Sequence, residues 1–310
     1  MAAPANILIT GAAGFVGGRL SAALPSAFPD VNLVKTTFDL RDRASVERIV
    51  RETKPVACFH LAAISAIPEA RKDPAAAWQV NLLATLSLAE SILQYAPEAQ
   101  LLFPSSADAY GASFRNAARL DESAPLAPQN TYAATKAAAD LALGAMAADG
   151  LRVVRVRPFN HTGAGQSAAF VIPAFARQIA RIRAGLQEPV IEVGNLEARR
   201  DFLDVRDVCD AYVACFARRE TIEPGLTLNI ASGKDRRIGD ILQMLCDIAG
   251  VKPEIRPSPS RMRPSDIPLS VGDATRARNL LAWAPKITWE QTLADVLDDW
   301  HSRVASDKQA

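Results

Sequence analysis

The chain has 310 residues, and its 35 lysines and arginines nearly balance 34 aspartates and glutamates, for a formal net charge of +1. This balance argues against a broad nucleic-acid-binding surface, which needs a basic surplus. Hydrophobic residues at 49% and charged residues at 22% are typical of a globular protein with one large α/β domain, or with a large and a small one.

Cysteine and histidine usage gives no sign of a disulfide framework or of a metal site. The four cysteines form no CxxC pair, and the three histidines lie far apart in the sequence. No apolar run approaches the roughly 20 residues of a membrane span. The N-terminus runs into a strand without a basic leader or an apolar signal core. We therefore expect a cytoplasmic protein with no membrane partner.

The first predicted elements are a strand at residues 6–10, a glycine turn and a helix at residues 19–28. The turn reads Gly11-Ala12-Ala13-Gly14-Phe15-Val16-Gly17, which is a GxxGxxG spacing. Strand, glycine turn and helix in this order are the context that a dinucleotide-binding loop requires. Glycines let the backbone approach a pyrophosphate, whose charge then lies at the helix N-terminus. A tight turn without a ligand is the alternative.

The second predicted strand, residues 31–37, bears on the choice of cofactor. A carboxylate at its end would bind the adenosine ribose and disfavour a 2′-phosphate. The strand ends Lys35-Thr36-Thr37 instead, and Asp39, Leu40 and Arg41 follow. Both NADH and NADPH stay open, and the nearby cations favour NADPH slightly.

The next elements are a helix at residues 43–53, a buried strand at 55–61 and a long helix at 74–95. The strand ends His60-Leu61-Ala62-Ala63, where small side chains suit close passage of a cofactor. We predict a structural role for His60. Asn81 lies on the largely apolar surface of the long helix.

A strand at residues 101–103 ends in a polar segment that includes Ser105, Ser106 and Asp108. Ligands of doubly wound sheets lie outside the carboxyl ends of the strands, so Ser106 and Asp108 are candidates for chemistry. An ordinary turn is the alternative, since serine, aspartate and glycine are common in loops.

The alanine-rich helix at residues 133–148 begins just after Tyr132 and carries Lys136. These two residues stand four apart and share one helix face. The nearby ammonium should lower the pKa of the tyrosine, which could then exchange a proton with an alcohol or carbonyl near neutral pH. A half-buried tyrosine beside a solvated lysine is the alternative.

A further strand at residues 152–156 completes a regular β/α alternation, which predicts an α/β fold with a doubly wound parallel Rossmann sheet. Beyond it the alternation stops. We predict helices at residues 170–185, 205–219, 238–249, 274–281 and 289–304, strands at 190–193 and 226–231, and a polar turn at 194–201. A dinucleotide-binding domain would comprise residues 1–160 and 203–232. A smaller C-terminal α/β substrate domain would comprise residues 161–202 and 233–310.

Five segments in order carry a family resemblance over nearly the whole chain: Thr10 to Gly17, His60-Leu61-Ala62-Ala63, Ser105-Ser106, Tyr132-x-x-x-Lys136 and Arg157-Pro158-Phe159-Asn160. With them the chain resembles the extended short-chain dehydrogenase/reductases of the NAD-dependent epimerase/dehydratase family, which act on nucleotide sugars. The closer resemblance is to the branch that contains GDP-mannose 4,6-dehydratases and GDP-6-deoxy-4-keto-D-mannose reductases. Its marks are residues 159–163, 194–201 and 263–268, together with Trp283-x-Pro285.

The resemblance implies roles for individual residues. Ser106 would be the catalytic serine, Tyr132 the proton donor and Lys136 its activator, with Asp108 at the position of the dehydratase base. Candidate cofactor-binding residues are Gly11, Gly14, Phe15, Val16, Gly17, Asp39, Leu40, Leu61, Ala62, Ala63, Asn81, Tyr132 and Lys136. Candidate substrate-binding residues are Ser106, Asn160, Asn195, Arg200, Arg263 and Asp266, and the two arginines would clamp the diphosphate. A surface ion pair is the alternative for each arginine.

The resemblance implies reduction of the 4-keto group of GDP-4-keto-6-deoxy-D-mannose to GDP-D-rhamnose, with the pro-S hydride of NADPH or NADH going to C4. Asp108 is one methylene shorter than the usual dehydratase glutamate, and residues 37–42 form a compact segment. Both features favour the reductase over a GDP-mannose 4,6-dehydratase. A UDP- or dTDP-sugar 4-epimerase and a non-enzymatic NAD(P)-binding protein of the same fold are further alternatives.

The helices at residues 74–95 and 132–148 carry more alanine and leucine than a solvent-facing pair should. An exposed apolar helix pair commonly marks an association surface. The resemblance also implies pairing of these helices in a four-helix bundle. We therefore expect a homodimer with two-fold symmetry.

Overall fold

The structure is a computed structural model that describes residues 5–35, 38–117, 119–261 and 267–307. In chain order, its strands are β1 (Ala5–Thr10), β2 (Val31–Lys35), β3 (Ala57–His60), β4 (Gln100–Pro104), β5 (Val153–Pro158), β6 (Asn160–Thr162), β7 (Val190–Val193), β8 (Arg199–Asp204), β9 (Leu226–Ile230), β10 (Asp235–Arg237), β11 (Glu254–Pro257) and β12 (Leu269–Ser270).

The helices, in chain order, are α1 (Phe15–Ala27), α2 (Arg43–Thr53), α3 (Ile67–Lys72), α4 (Pro74–Trp78), α5 (Ala84–Tyr95), α6 (Thr131–Met146), α7 (Val171–Arg183), α8 (Val205–Ala217), α9 (Ile238–Ala249), α10 (Thr275–Leu281) and α11 (Trp289–Asp307). A π-helical turn at Gln79–Leu83 joins α4 to α5, and the 3₁₀ segments are Ala107–Arg115 and Pro259–Arg261.

Six strands form the main sheet in the order β2-β1-β3-β4-β5-β9, and every neighbouring pair is parallel. Helices cover both faces. Leu24 of α1 and Val208 of α8 belong to the core on one face, whereas Val50 of α2 and Ile92 of α5 belong to the core on the other. The predicted doubly wound parallel sheet is confirmed, and its carboxyl edge gathers the ends of β1, β3, β4 and β5.

A smaller lobe follows β5. Strand β8 lies at its centre, pairing with β6 and β12 in parallel and with β10 in antiparallel fashion. A third core, which includes Ile179 of α7, Leu245 of α9 and Val296 of α11, lies in this lobe. Helix α10 packs instead against β9 and α8 of the main sheet. The division of the chain into two domains stays a prediction.

Two sequence predictions of local structure were wrong. Residues 194–201 were predicted as a polar turn, but Arg199 already belongs to β8, where neighbouring strands satisfy its polar backbone. Residues 74–95 were predicted as one regular helix, but a π-helical turn interrupts it around the buried Asn81. Such turns insert one extra residue into a helix and are frequent at functional sites. Thr36 and Thr37, at the predicted end of the second strand, lie outside the described residues.

A buried polar network ties the sheet to the segments above it. The Tyr110 hydroxyl donates to Asn229 Oδ1 at 2.8 Å and accepts from Arg157 Nη1 at 3.0 Å. Asn229 Nδ2 donates to the carbonyl oxygens of Leu120 and Asp273. Because all these groups are removed from water, each hydrogen bond replaces one that the unfolded chain makes with solvent.

Replacing Tyr110 by Phe removes the hydroxyl that links Arg157 to Asn229 and leaves a buried acceptor and a buried donor with one partner fewer. We expect the free energy of unfolding to fall by about 1–3 kcal/mol. Urea denaturation followed by tryptophan fluorescence measures the change. Tyr95→Phe, on the partly exposed face of α5, is the matched control and should lose far less. Equal losses in both variants would contradict the role of the network.

Candidate functional site

The turn between β1 and α1 is shaped by close backbone contacts. Gly11 has a φ of +69°, and a Cβ on Gly17 would lie 2.1 Å from the Gly11 carbonyl oxygen. A Cβ on Gly11 itself would lie 2.7 Å from the backbone nitrogen of Ala62 in the turn after β3. Side chains at these two positions would therefore force the turn open.

The N-terminus of α1 carries no group of its own that would compete with an anion. Gly14 is the exposed N-cap residue, so no side chain caps the first turn, and that turn contains no acidic residue. The first amides of the helix, including those of Phe15 and Val16, lack intrahelical acceptors and lie at the positive end of the helix dipole. These features fit the diphosphate of a dinucleotide.

The tip of β3 lies beside this turn. Leu61, Ala62 and Ala63 are partly exposed there, and the Ala62 backbone amide donates to Thr10 Oγ1 at 3.2 Å. The buried His60 ring bridges two threonines, with Nδ1 2.8 Å from Thr10 Oγ1 and Nε2 2.8 Å from Thr85 Oγ1. Burial, reinforced by the charge of a nearby lysine, lowers the pKa of His60 to about 3, so the ring is neutral.

Asn81 joins the loop after β3 to helix α6. Its Oδ1 accepts from the Ile64 backbone amide at 2.8 Å, and its Nδ2 donates to the Ile64 carbonyl oxygen at 3.1 Å and to Thr135 Oγ1 at 3.0 Å. Both amide hydrogens therefore have protein partners. In this structure Asn81 fixes the two elements that flank the predicted cofactor path.

The segment at residues 38–42, where the adenosine of the cofactor is predicted to bind, contains one ion pair, between Arg41 and Asp39. Arg41 Nε lies 2.9 Å from Asp39 Oδ2, and both side chains are about half exposed. The hydrogen bond from Arg41 lowers the pKa of Asp39 to about 2. Leu40 points into the core between the sheet and α2, with 8% of its surface exposed.

Helix α6 brings Tyr132 and Lys136 to the carboxyl edge of the sheet. Asn130 caps the helix, its Oδ1 accepting from the Ala133 amide at 2.9 Å, and this capping fixes where the helix begins. The Tyr132 hydroxyl lies close enough to the side chain of Ser106, which follows β4, for the two groups to interact. The three residues predicted to carry the chemistry are therefore assembled at one place.

The expectation of a lowered tyrosine pKa was wrong. Burial and the negative charge of Asp108 raise the pKa of Tyr132 above its ordinary value, and the interaction with Ser106 opposes them only in part. The reason is that removal from water disfavours the phenolate more than the neighbouring groups favour it. Tyr132 is thus protonated at neutral pH.

Lys136 is almost fully buried, with 4% of its surface exposed, and its Nζ lies 4.3 Å from the centre of the Phe103 ring. Burial lowers the pKa of Lys136 to about 7, and the negative charge of Asp140 opposes that change. The ammonium is therefore stabilised by an aromatic face and by a carboxylate.

Asp108 is the acidic group of the cluster. Its backbone amide donates to Ser106 Oγ at 3.1 Å, and its charge acts on Tyr132. Burial raises the pKa of Asp108, and Arg200 of β8 opposes the rise. The guanidinium of Arg200 also donates to the Arg199 carbonyl oxygen at 2.8 Å. The small lobe thus supplies a cation to the edge of the main sheet, and the role of Arg200 in binding a diphosphate stays a prediction.

The remaining predicted substrate residues have three different outcomes. Asn160 begins β6 next to Phe159 and is aligned with Phe202 of β8, so it lies where the two lobes meet. The exposed Asn195 closes a local turn by accepting from the Glu197 amide at 2.8 Å, and its described contacts do not join it to Ser106 or Tyr132. Arg263 and Asp266 lie outside the described residues.

Two features of the site were missed at the sequence level. Asp140, four residues after Lys136, is fully buried and ion-paired with Arg155 and Arg157. Its spacing from Lys136 was an available signal. The Phe15 ring lies parallel to that of His161, with the ring centres 6.3 Å apart, which brings the glycine turn against the small lobe. No spacing rule predicts that long-range contact.

The described part of the chain contains no cluster of three or more histidine, cysteine or acidic residues that could hold a metal ion. Among the described residues, no helix has both the length and the apolar character needed to cross a bilayer.

Comparison with known proteins gives relatives over the full span of the fold. The chain is 39% identical over 302 residues to the GDP-6-deoxy-D-mannose reductase of Pseudomonas aeruginosa, and the alignment covers 96% of this chain and 98% of that protein. It is 32% identical to the GDP-6-deoxy-D-talose 4-dehydrogenase of Aggregatibacter actinomycetemcomitans, over 89% of this chain and 91% of that protein.

Solved structures agree with this relationship. RMD from Pseudomonas aeruginosa complexed with NADPH matches with a TM-score of 0.89 and 37% identity, over 96% of this chain and 99% of that one. The Thermus thermophilus UDP-glucose 4-epimerase complex with NAD matches with a TM-score of 0.82 and 27% identity, over 95% and 98%. The family model described as GDP-mannose 4,6 dehydratase matches residues 26–296. The protein therefore belongs to the GDP-mannose 4,6-dehydratase family of extended short-chain dehydrogenase/reductases.

Proposed function

We propose that the protein reduces the 4-keto group of GDP-4-keto-6-deoxy-D-mannose to give GDP-D-rhamnose, with NADPH or NADH as the reductant. The observation that carries the proposal is the assembly of Ser106, Tyr132 and Lys136 at the carboxyl edge of the sheet, the edge at which the uncapped N-terminus of α1 follows β1. The 39% identity to a GDP-6-deoxy-D-mannose reductase over nearly the whole chain supports the choice of substrate.

The nicotinamide cofactor supplies the hydride for the keto carbon. The amides at the start of α1 would hold its diphosphate, and Lys136 would hold its nicotinamide ribose. Leu61, Ala62 and Ala63 would line its path along the end of β3. Asn81 would act from behind this path, because its amide hydrogens are already bonded to Ile64 and Thr135.

Ser106 would donate a hydrogen bond to the carbonyl oxygen, and Tyr132 would transfer its proton to the alkoxide that forms there. A tyrosine whose pKa is raised suits this direction of reaction, because it enters the cycle protonated and faces a strongly basic oxygen. The Lys136 ammonium adds positive charge beside the developing alkoxide.

The sugar nucleotide would occupy the space between the main sheet and the small lobe. Asn160 and Arg200 line the meeting of the two lobes, and Arg200 would bind the diphosphate of the substrate. Asn195, Arg263 and Asp266 stay proposed substrate ligands on the strength of the sequence motifs alone.

Both nicotinamide cofactors fit the proposal. Arg41 could turn from Asp39 toward a 2′-phosphate, whereas Asp39 could accept from the ribose hydroxyls of NADH. Because the pair is exposed, exchange of one partner for the other costs little. The cations in this segment favour NADPH slightly.

A GDP-mannose 4,6-dehydratase is the second candidate, since Asp108 lies where its charge acts on Tyr132. Burial raises the pKa of Asp108, which suits a group that accepts a proton. Its short side chain and the cation of Arg200 nearby count against abstraction of a proton from C5.

We also propose a homodimer formed through α4, α5 and α6. The side chains of Trp78, Leu83 and Leu141 are 37%, 58% and 60% exposed, and helices α4 to α6 with the intervening π turn contact one another. Large exposed apolar side chains on neighbouring helices are typical of an association surface.

Replacing Tyr132 by Phe should lower kcat by about 10²–10⁴, because the variant cannot deliver a proton to the alkoxide. The Kd for NADPH, measured by quenching of protein fluorescence, should stay near the wild-type value. Tyr95→Phe is the matched control and should keep the wild-type rate. A Tyr132→Phe variant with normal turnover would show that the tyrosine is structural.

Given GDP-4-keto-6-deoxy-D-mannose, the protein should consume one equivalent of NADPH or NADH per equivalent of product formed. The fall in absorbance at 340 nm measures this consumption. With GDP-mannose alone it should form no 4-keto product, because a reductase draws its hydride from added cofactor. Asp108→Asn should then retain most of the reductase rate. A 4-keto product from GDP-mannose without added reduced cofactor, abolished by Asp108→Asn, would reverse the assignment.

Light scattering of the eluting protein at micromolar concentration should give a mass near twice the 33.2 kDa of one chain. Leu83→Lys with Leu141→Lys should reduce it to that of one chain, because two charges per subunit would have to be desolvated at the interface. Leu280→Lys, a 47% exposed leucine on α10, is the matched control and should stay dimeric. A monomeric wild-type protein would contradict the proposal.

A further inference from the structure

Lys136 is surrounded by groups that come from three elements. Phe103 of β4 presents its ring to the ammonium at 4.3 Å. The ring of His60 of β3 is stacked on the Phe103 ring, with the ring centres 6.2 Å apart. Asp140 stands one turn further along α6, the helix that carries Lys136. His60 is neutral and adds no charge next to the ammonium. The charged group that acts on the ammonium is the carboxylate of Asp140.

Asp140 is shared between the lysine and two arginines of β5. Arg155 Nη1 lies 2.9 Å from Asp140 Oδ1, and Arg157 donates to both carboxylate oxygens at 2.8 Å and 3.1 Å. No part of the Asp140 side chain is exposed, and the side chains of Arg155 and Arg157 are 16% and 6% exposed. Charges in such surroundings are screened far less by water and salt than surface charges.

This arrangement contains more charge than a structural ion pair needs. One carboxylate already has a bidentate partner in Arg157, and Arg155 contributes a second cation to it. A carboxylate with one arginine would be neutralised, yet a third cation, Lys136, is placed one turn away on the same helix. With Asp140 ionised, the three cations and one carboxylate carry a net charge of +2, and loss of that single negative charge would leave three cations together.

We propose that Asp140 is a positioning residue that keeps the buried Lys136 in its charged form, and that Arg155 weakens this effect by sharing the same carboxylate. The inference rests on the proposed function only in assigning Lys136 to the cofactor ribose and the alkoxide. It assigns to Asp140 no contact with substrate.

The direction of the expected change follows from the charges. Burial lowers the pKa of Lys136 to about 7, and Asp140 opposes this lowering. The ammonium is therefore present below about pH 7 and is lost as the pH rises. Tyr132 does not contribute to this transition, because its pKa is raised above its ordinary value. The rate or affinity of any step that needs the ammonium should therefore decline as the pH rises. The pH of this alkaline decline reports the pKa of Lys136.

Two substitutions should move this decline in opposite directions. Asp140→Asn keeps the shape and removes the negative charge, so the decline should move to lower pH by about one unit or more. Arg155→Met removes a competing cation and leaves the Asp140 charge more available, so the decline should move to higher pH. Asp207→Asn, another buried carboxylate that accepts from two backbone amides of a distant loop, is the matched control.

The measurement is the Kd of NADPH between pH 5.5 and 9.5, by fluorescence, together with kcat/KM for the keto sugar over the same range. Opposite displacements of the binding transition support the proposal, with no displacement for Asp207→Asn. Unchanged transitions in both variants, or displacements in the same direction, overturn it.

If Asp140→Asn fails to fold, Arg155→Met still tests the proposal, because a transition that does not move to higher pH in this variant overturns it. The NADPH titration needs no sugar substrate. If it shows the opposite displacements while no GDP-keto sugar is reduced, the proposed function fails and the assignment of Asp140 stands.

Discussion

The structure depends on keeping charged groups at the carboxyl edge of a parallel sheet, where little water reaches them. Lys136 is tolerated there because an aromatic face and a carboxylate stabilise its ammonium. Asp108 is tolerated because Arg200 faces it from the other lobe. The partner of Asp108 comes from β8, and the aromatic partner of Lys136 comes from β4. The carboxylate partner of Lys136 is Asp140, which lies on the same helix. A reaction centre of this kind therefore forms only when the sheet, α6 and β8 are all in place.

The placement of Arg200 follows from its neighbour Asp201. The Asp201 carboxylate is buried and accepts from the backbone amides of Ser232 and Gly233 at 2.9 Å and 2.8 Å, and from Gly272 at 3.3 Å. These bonds fix β8 against loops that follow β9 and β12. Because side chains alternate along a strand, anchoring Asp201 on one side leaves Arg200 directed to the other. A single buried carboxylate thus holds the small lobe in register with the main sheet.

Local patterns predicted the main sheet well, because alternating strands and helices leave few topologies open. The family resemblance, and not these patterns, implied that Ser106, Tyr132 and Lys136 act together, and the structure brings the three residues to one edge of the sheet. The tyrosine pKa was mispredicted, because spacing shows that a lysine is near and does not show how much water is removed. Strand β8 was missed, since its charged residues resemble a loop and only pairing with β10 and β12 makes it a strand.

The central claim is that hydride goes to C4 of a GDP-4-keto-6-deoxy sugar, and transfer of an isotopic label tests it most directly. The protein would be incubated with GDP-4-keto-6-deoxy-D-mannose and NADPH that carries deuterium in the pro-S position, and the product would be examined by NMR. We expect one deuterium at C4 of GDP-D-rhamnose. A product without deuterium at C4, or no product at all from this keto sugar, would contradict it.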